Sequence, residues 1–181
     1  MAREFGLPNA DRKDSQGICF LGKIPVHDFL KAHVRQREGV LVNTAGTVVG
    51  RHDGAAYVTI GQRHGIGYGG GGVAQYVVAK DVERNVVTVA EGDAAQELFS
   101  RTVVARDIHW IAGVPPAFPL SCAARIRYRQ QLAPCVVTMD GADTLRAFFA
   151  ERQRAVAPGQ AIVFYDGDRV LGGAVIERGE R

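Results

Sequence analysis

The spacing of apolar positions changes along the chain, and each change marks a predicted element. Between Ile24 and Val34, the residues Val26, Phe29, Leu30 and Val34 fall at helical spacing, and Pro25 suits a first helical position. That predicts a short helix. From Val40 the period becomes two: Val40 to Asn43 and Thr47 to Val49 flank an Ala45-Gly46 turn as a β-hairpin. His52-Asp53-Gly54 then turns the chain into Ala55 to Ile60, a further predicted strand. Gln75 to Lys80 and Asn85 to Ala90 alternate around a polar Asp81 to Arg84 turn and predict a second hairpin.

Glu91 to Glu97 is polar and Ala-rich without strand character, so a domain boundary is placed near it. Beyond it, alternation predicts strands at Thr102 to Ile111, Ser121 to Tyr128, Pro134 to Met139, Thr144 to Phe149, Ala161 to Tyr165 and Val170 to Ile176. Pro115-Pro116, Asp140-Gly141, Pro158-Gly159 and Asp166-Gly167 supply breaks and turns between them. Short antiparallel strands this closely spaced predict a small closed barrel or a sandwich.

Composition agrees with this reading and narrows it. A total of 22 glycines argues against a helical bundle, and the recurring Val-rich segments favour a mainly β protein with minor α. The net charge of +3 is compatible with a polyanionic partner without demanding one. The three cysteines include no C-x-x-C pair, and no apolar run is long enough to cross a bilayer. The expectation is a cytoplasmic protein that meets no membrane. Residues 1 to 12 read as the last turn of a helix, with Gly6 as its stop and Pro8 barring continuation, which looks like the end of something longer.

Three stretches carry candidate chemistry. Lys13-Asp14-Ser15-Gln16-Gly17-Ile18-Cys19-Phe20 places a thiol in a polar turn near Arg12 and Lys13, cations that favour the thiolate; the competing reading is a thiol packed at the start of a core segment. Gly65-x-Gly67-x-x-Gly70 formally matches a dinucleotide fingerprint, but a hairpin follows where the phosphate-binding helix belongs. That stretch reads instead as a flexible loop whose Gln62, Arg63 and His64 reach phosphates, or as a plain surface loop. Arg125, Arg127 and Arg129 alternate with Ile126 and Tyr128, so three guanidinium groups are expected on one strand face, with Tyr128 placed to stack on a base. A solvated outer face is the alternative. Cys122 and Cys135 are expected to be packed core thiols, and His27 and His33 are not spaced to share a metal, so no metal site is expected.

In order, Lys13 to Phe20, Asp53-Gly54 with Tyr57-x-Thr59-Ile60-Gly61-Gln62-Arg63, Arg127-Tyr128-Arg129-Gln130, and Ala157-Pro158-Gly159-Gln160 with Val163-Phe164-Tyr165 resemble the tRNA-specific 2-thiouridylase (MnmA/TrmU) family. The resemblance runs over essentially the whole chain. It implies a remnant linker with the cysteine loop at residues 1–22, a small central α/β domain at 23–95 and an antiparallel β-barrel that binds tRNA at 96–181. In that family an ATP-pyrophosphatase domain adenylates the wobble uridine, and a persulfide sulfur replaces its C2 oxygen. By matching position, Cys19 carries the persulfide, and Arg127, Tyr128 and Gln160 contact tRNA. Gln62, Arg63, Arg125 and Arg129 are weaker tRNA candidates.

The departures matter as much. The sequence holds no Ser-Gly-Gly-x-Asp-Ser phosphate loop and no match to the family's first catalytic cysteine. The expectation is therefore a C-terminal portion that binds no cofactor itself. ATP is implied through the missing domain, which a separate chain would supply if it is encoded apart, and a sulfur-donor protein is a further expected partner. Alone, such a chain should not thiolate tRNA. The alternative readings are a stand-alone tRNA-binding module without catalysis and an independent thiol enzyme built on Cys19.

Overall fold

The computed structural model describes residues 3–6, 8, 26–67 and 72–181. The Cys19 loop and Gly70 of the glycine fingerprint lie outside them. Residues 37–181 form one compact unit, and the preceding residues form another. In the preceding unit, residues 3–6 make a turn closed by a Gly6 N–H bond to the Arg3 carbonyl at 3.1 Å, and α1 (Val26–His33) is the short helix expected from the Val26–Val34 spacing.

Among the described residues of the 37–181 unit there are ten strands: β1 (Gly39–Asn43), β2 (Val48–His52), β3 (Gln75–Asp81), β4 (Val86–Glu91), β5 (Phe99–Trp110), β6 (Leu120–Arg125), β7 (Ala133–Met139), β8 (Thr144–Arg154), β9 (Ala161–Asp166) and β10 (Arg169–Glu180). The first four make a mixed sheet in the order β2-β1-β4-β3, with β1 and β4 parallel. The last six close into an antiparallel barrel, β10-β5-β8-β7-β6-β9. Closure pairs every strand on both sides and leaves no edge for another chain to extend. Of the two architectures open to the sequence, the barrel is the one formed.

Alternation explains which residues fill the barrel. Ala124, Val137, Leu145, Ala147, Ile162, Phe164 and Ile176 are almost wholly inaccessible, each one of the inward positions of its strand. Phe164 stacks on Trp110 with centroids 5.7 Å apart, and burying a side chain of that size contributes on the order of 2–3 kcal/mol. Cys122 and Cys135 belong to this interior, as expected.

Two expectations fail. Ala55 to Ile60 is not a strand: Ala55–Tyr57 is a single 3₁₀ turn. Its start is held by Asn85, whose Oδ1 accepts from the Ala55 N–H at 2.9 Å while its Nδ2 donates to the carbonyls of Arg37 and Glu38. Gly54 enters the turn at φ 151, where a Cβ would lie 2.8 Å from the Tyr57 ring. The second failure is at β6, which ends at Arg125 instead of running to Tyr128.

The mixed sheet meets the barrel through a few defined contacts. Arg154 at the end of β8 lies 5.1 Å over the Tyr76 ring of β3. Within the central region itself, Lys80 of β3 donates to the Val58 carbonyl at 2.7 Å, and burial lowers its pKa. Thr59-Ile60-Gly61-Gln62 is a tight turn closed by the Gln62 N–H on the Thr59 carbonyl, with Gly61 at φ 85. Gly61 is also where a Cβ would come 2.6 Å from the Ala155 Cβ, so the position takes no side chain.

Candidate nucleic-acid interface

Because β6 stops at Arg125, the three arginines do not share a strand face. Residues after Arg125 bend into a turn closed by the Gln130 N–H on the Arg127 carbonyl, and Arg129 takes φ 63 in the left-handed region. Each arginine consequently has its own environment. Arg125 lies 5.3 Å over the Tyr165 ring, with its Nε buried and unpartnered. Arg127 turns inward and donates from Nη2 to the Ala155 carbonyl. Arg129 lies 5.3 Å over the ring of Tyr128, and Tyr128 itself is 78% exposed.

Gln130 fixes this turn. Its Oε1 accepts from the Ile126 N–H at 3.1 Å, and its Nε2 donates to Oε1 of buried Gln153 at 2.7 Å. Gln153 in turn donates to the Glu151 carbonyl. The chain of amides ties the Arg127–Gln130 turn to β8, so the exposed tyrosine stands on a rigid base. In the sequence Gln130 stands out only as part of the Arg127-Tyr128-Arg129-Gln130 motif, although a side-chain amide with one donor and one acceptor end can close a turn and anchor it.

Across from the turn, Ala157-Pro158-Gly159-Gln160 places Pro and Gly at the central positions of a tight turn, with Gly159 at φ 83 and the Gln160 N–H on the Ala157 carbonyl at 3.3 Å. Gln160 is exposed. Arg125, Ile126, Arg127, Tyr128, Gln160, Ala161, Val163 and Tyr165 line one open groove of ≈ 530 Å³. The fold thus brings Gln160 beside the predicted residues Arg125, Arg127 and Tyr128, which lie some thirty positions earlier in the sequence.

Gln62 and Arg63 do not line this groove. Gln62 is occupied in its own turn, accepting from the Thr59 N–H and donating to the His64 carbonyl. Arg63 is exposed on the adjacent loop, where a methyl group at Gly61 would lie 3.5 Å from Arg127 Nη2. The loop flanks the groove without entering it.

Ion pairs neutralise several of the barrel's arginines but not the two that line this groove. Arg146 is paired with Asp140 and Glu180, Arg169 with Asp166, and Arg178 with Glu177 and Glu180. Among the described residues no carboxylate pairs with Arg125 or Arg127. Burial, followed by the nearby charge of Arg154, lowers the Arg127 pKa, and the guanidinium remains a cation at neutral pH. Unneutralised cations beside an exposed aromatic ring and an amide suit phosphates and unstacked bases. The groove carries no cluster with the chemistry for bond making, and among the described residues no group of three or more His, Cys, Asp or Glu side chains is placed to hold a metal. Among the described residues, the element that follows the run Gly65 to Gly67 is β3.

Comparison with known proteins places the chain. Residues 27–91 match the tRNA methyl transferase PRC-barrel domain, and residues 100–176 match the aminomethyltransferase β-barrel domain. The tRNA-specific 2-thiouridylase MnmA of Cupriavidus pinatubonensis is 48% identical over 181 residues, which cover 98% of this chain and 50% of that protein. The proteins of the same name from Ralstonia nicotianae and Pseudomonas aeruginosa are 47% and 46% identical, over 97% and 99% of this chain and 49% of each relative. The chain spans about half the length of these relatives. On two domain matches and near-full coverage of its own length, it belongs to the tRNA-specific 2-thiouridylase family, with the family's central and C-terminal domains.

Proposed function

We propose that this chain is the tRNA-gripping portion of a tRNA-uridine 2-sulfurtransferase, which makes 2-thiouridine at the wobble position, and that it also carries the persulfide cysteine. The observation that carries the reading is the convergence of Arg125, Arg127, Tyr128 and Gln160 on one unneutralised groove in a chain of this family. Arg125 and Arg127 meet phosphate, Tyr128 stacks on a base and Gln160 hydrogen-bonds beside it. Cys19 accepts sulfur from a donor protein as a persulfide, whose outer sulfur attacks the uridine carbon once ATP chemistry elsewhere has made the C2 oxygen a leaving group. The oxygen departs with the adenylate, and a second thiol outside this chain's match to the family breaks the S–S bond by forming a disulfide with Cys19. The ATP-pyrophosphatase domain supplies that chemistry, and this chain alone leaves the uridine unmodified.

One experiment tests both halves of the reading. The purified chain is assayed for tRNA binding, and Cys19→Ser is assayed for restoring 2-thiouridine in a thiolation-deficient strain together with the nucleotide domain. Binding by the parent chain and loss of thiolation in the variant support the proposal. Binding with undiminished thiolation in Cys19→Ser reduces the chain to a tRNA-binding module. Formation of 2-thiouridine from ATP by the chain alone overturns the division of labour.

A further inference from the structure

Two thiols outside the groove face each other across neighbouring strands. Cys122 of β6 and Cys135 of β7 are direct cross-strand partners, and their Sγ atoms lie 3.7 Å apart. Residues directly opposite in an antiparallel pair point to the same face of the sheet, and here that face is the barrel interior. Cys135 is buried and Cys122 is half-buried. The thiols are neither fully sealed nor held apart by an intervening side chain.

We propose that Cys122 and Cys135 form a peroxide-oxidisable dithiol that closes to a cross-strand disulfide. Opposed residues of an antiparallel pair have Cα atoms about 4.5–5.5 Å apart, inside the range that a disulfide spans. Rotation about the two Cα–Cβ bonds is the movement required, with no change of strand register. The bond would close the hairpin 122–135, whose tip is the Arg125–Gln130 turn.

The chemistry assigns different roles to the two sulfurs. The hydrogen bond between them lowers the pKa of Cys122, while that bond together with burial raises the pKa of Cys135. Cys122 is also the more accessible. Its thiolate attacks one oxygen of hydrogen peroxide, breaking the O–O bond to give a sulfenic acid and hydroxide. The Cys135 sulfur then attacks the sulfenic sulfur, forming the S–S bond and releasing a second hydroxide. The two thiol protons convert both hydroxides to water. Two cysteine sulfurs are oxidised and the peroxide is reduced.

The test uses the intact chain exposed to hydrogen peroxide and then digested with trypsin. Cys122 lies in the peptide 107–125 and Cys135 in the peptide 130–146, so the predicted product is those two peptides joined, lighter by two hydrogens and separated by dithiothreitol. In the Cys19→Ser chain, which keeps two of the 3 cysteines, free thiols should fall from two to none. Cys122→Ser should reduce peroxide consumption by the pair at least tenfold, and Cys135→Ser should leave a sulfenic acid on Cys122 that a dimedone probe traps. Recovery of both thiols free after peroxide, their oxidation to sulfinic acid without linkage, or linkage only between different chains would overturn the proposal. Because the primary measurement is on the parent chain, a serine variant that fails to fold does not decide the result.

Discussion

The guanidinium of Arg127 is bonded to the carbonyl of Ala155, so a residue that lines the groove is also a structural brace between the β6–β7 turn and the end of β8. Ala155 accepts this bond from an unusual position: it has φ 53, and its own N–H is bonded to the Leu98 carbonyl. Arg127→Ala should therefore lower stability by about 1.5–3 kcal/mol, the scale of a charge-assisted hydrogen bond, as well as weakening tRNA binding. Tyr128→Ala removes an exposed ring, and should weaken tRNA binding with no more than about 0.5 kcal/mol of destabilisation. Urea midpoints beside binding isotherms check the pair; equal midpoints for the two variants would refute the brace.

Salt dependence separates phosphate contact from mere proximity. If both Arg125 and Arg127 reach phosphate, reversing either charge should reduce the slope of log affinity against log salt by about 0.7–0.9. Gln160→Ala should weaken binding while leaving that slope intact, because an amide releases no counterion. A slope unchanged by Arg127→Glu, in a variant shown to be folded, would mean that the guanidinium points away from the RNA.

These distinctions show how far the sequence can be read. Period-two alternation located the barrel strands because each has one face inside a closed core, and the residues that fill that core follow directly from it. Arg125, Arg127 and Arg129 defeated the same rule. Alternation says which face a residue occupies only while the strand lasts, and the amide bonds of Gln130 together with the left-handed Arg129 end it first. Ala55 to Ile60 failed for a related reason: apolar residues near a positive-φ glycine were packed by a turn that Asn85, some thirty positions away, holds in place. Long-range side-chain bonds of this kind leave no periodic trace. The Arg127–Gln160 groove was legible only through matched motifs, since the two positions meet by barrel closure and not by sequence spacing.

Gly61 tests the junction between the mixed sheet and the barrel. A methyl group there would sit 2.6 Å from the Ala155 Cβ, and the residue's φ of 85 disfavours any side chain. Gly61→Ala should cost about 1–3 kcal/mol through overpacking and backbone strain, and it should push on the carbonyl that holds Arg127. The expected signature is a lower urea midpoint accompanied by weaker tRNA binding. Gly46→Ala is the control: φ is 83 there as well, but no atom lies within 4 Å of the added methyl, so strain acts without overpacking. A Gly61→Ala penalty no larger than that of Gly46→Ala would refute the close packing.

His52 supplies the pH dependence. Its Nδ1 accepts the Gly54 N–H at 3.0 Å, which requires an unprotonated nitrogen, and its Nε2 is buried without a hydrogen-bond partner. Burial lowers its pKa below the ordinary 6.5, although the neighbouring backbone of Asn85 and Val40 and the charge of Asp53 act in the opposite direction. The unfolded chain therefore binds more protons than the folded one as pH falls through the region of 6.5. This contribution to stability is fully present above that value and is lost progressively as pH falls towards the folded pKa. Acidification from pH 7.5 to 5 should lower the unfolding midpoint, and His52→Gln, less stable at neutral pH, should show a shallower fall. A direct reading comes from imidazole carbon shifts in the folded protein: a His52 titration midpoint at or above 6.5 would contradict the neutral, accepting ring, whereas a midpoint below it ties acid sensitivity to the turn that Gly54 begins.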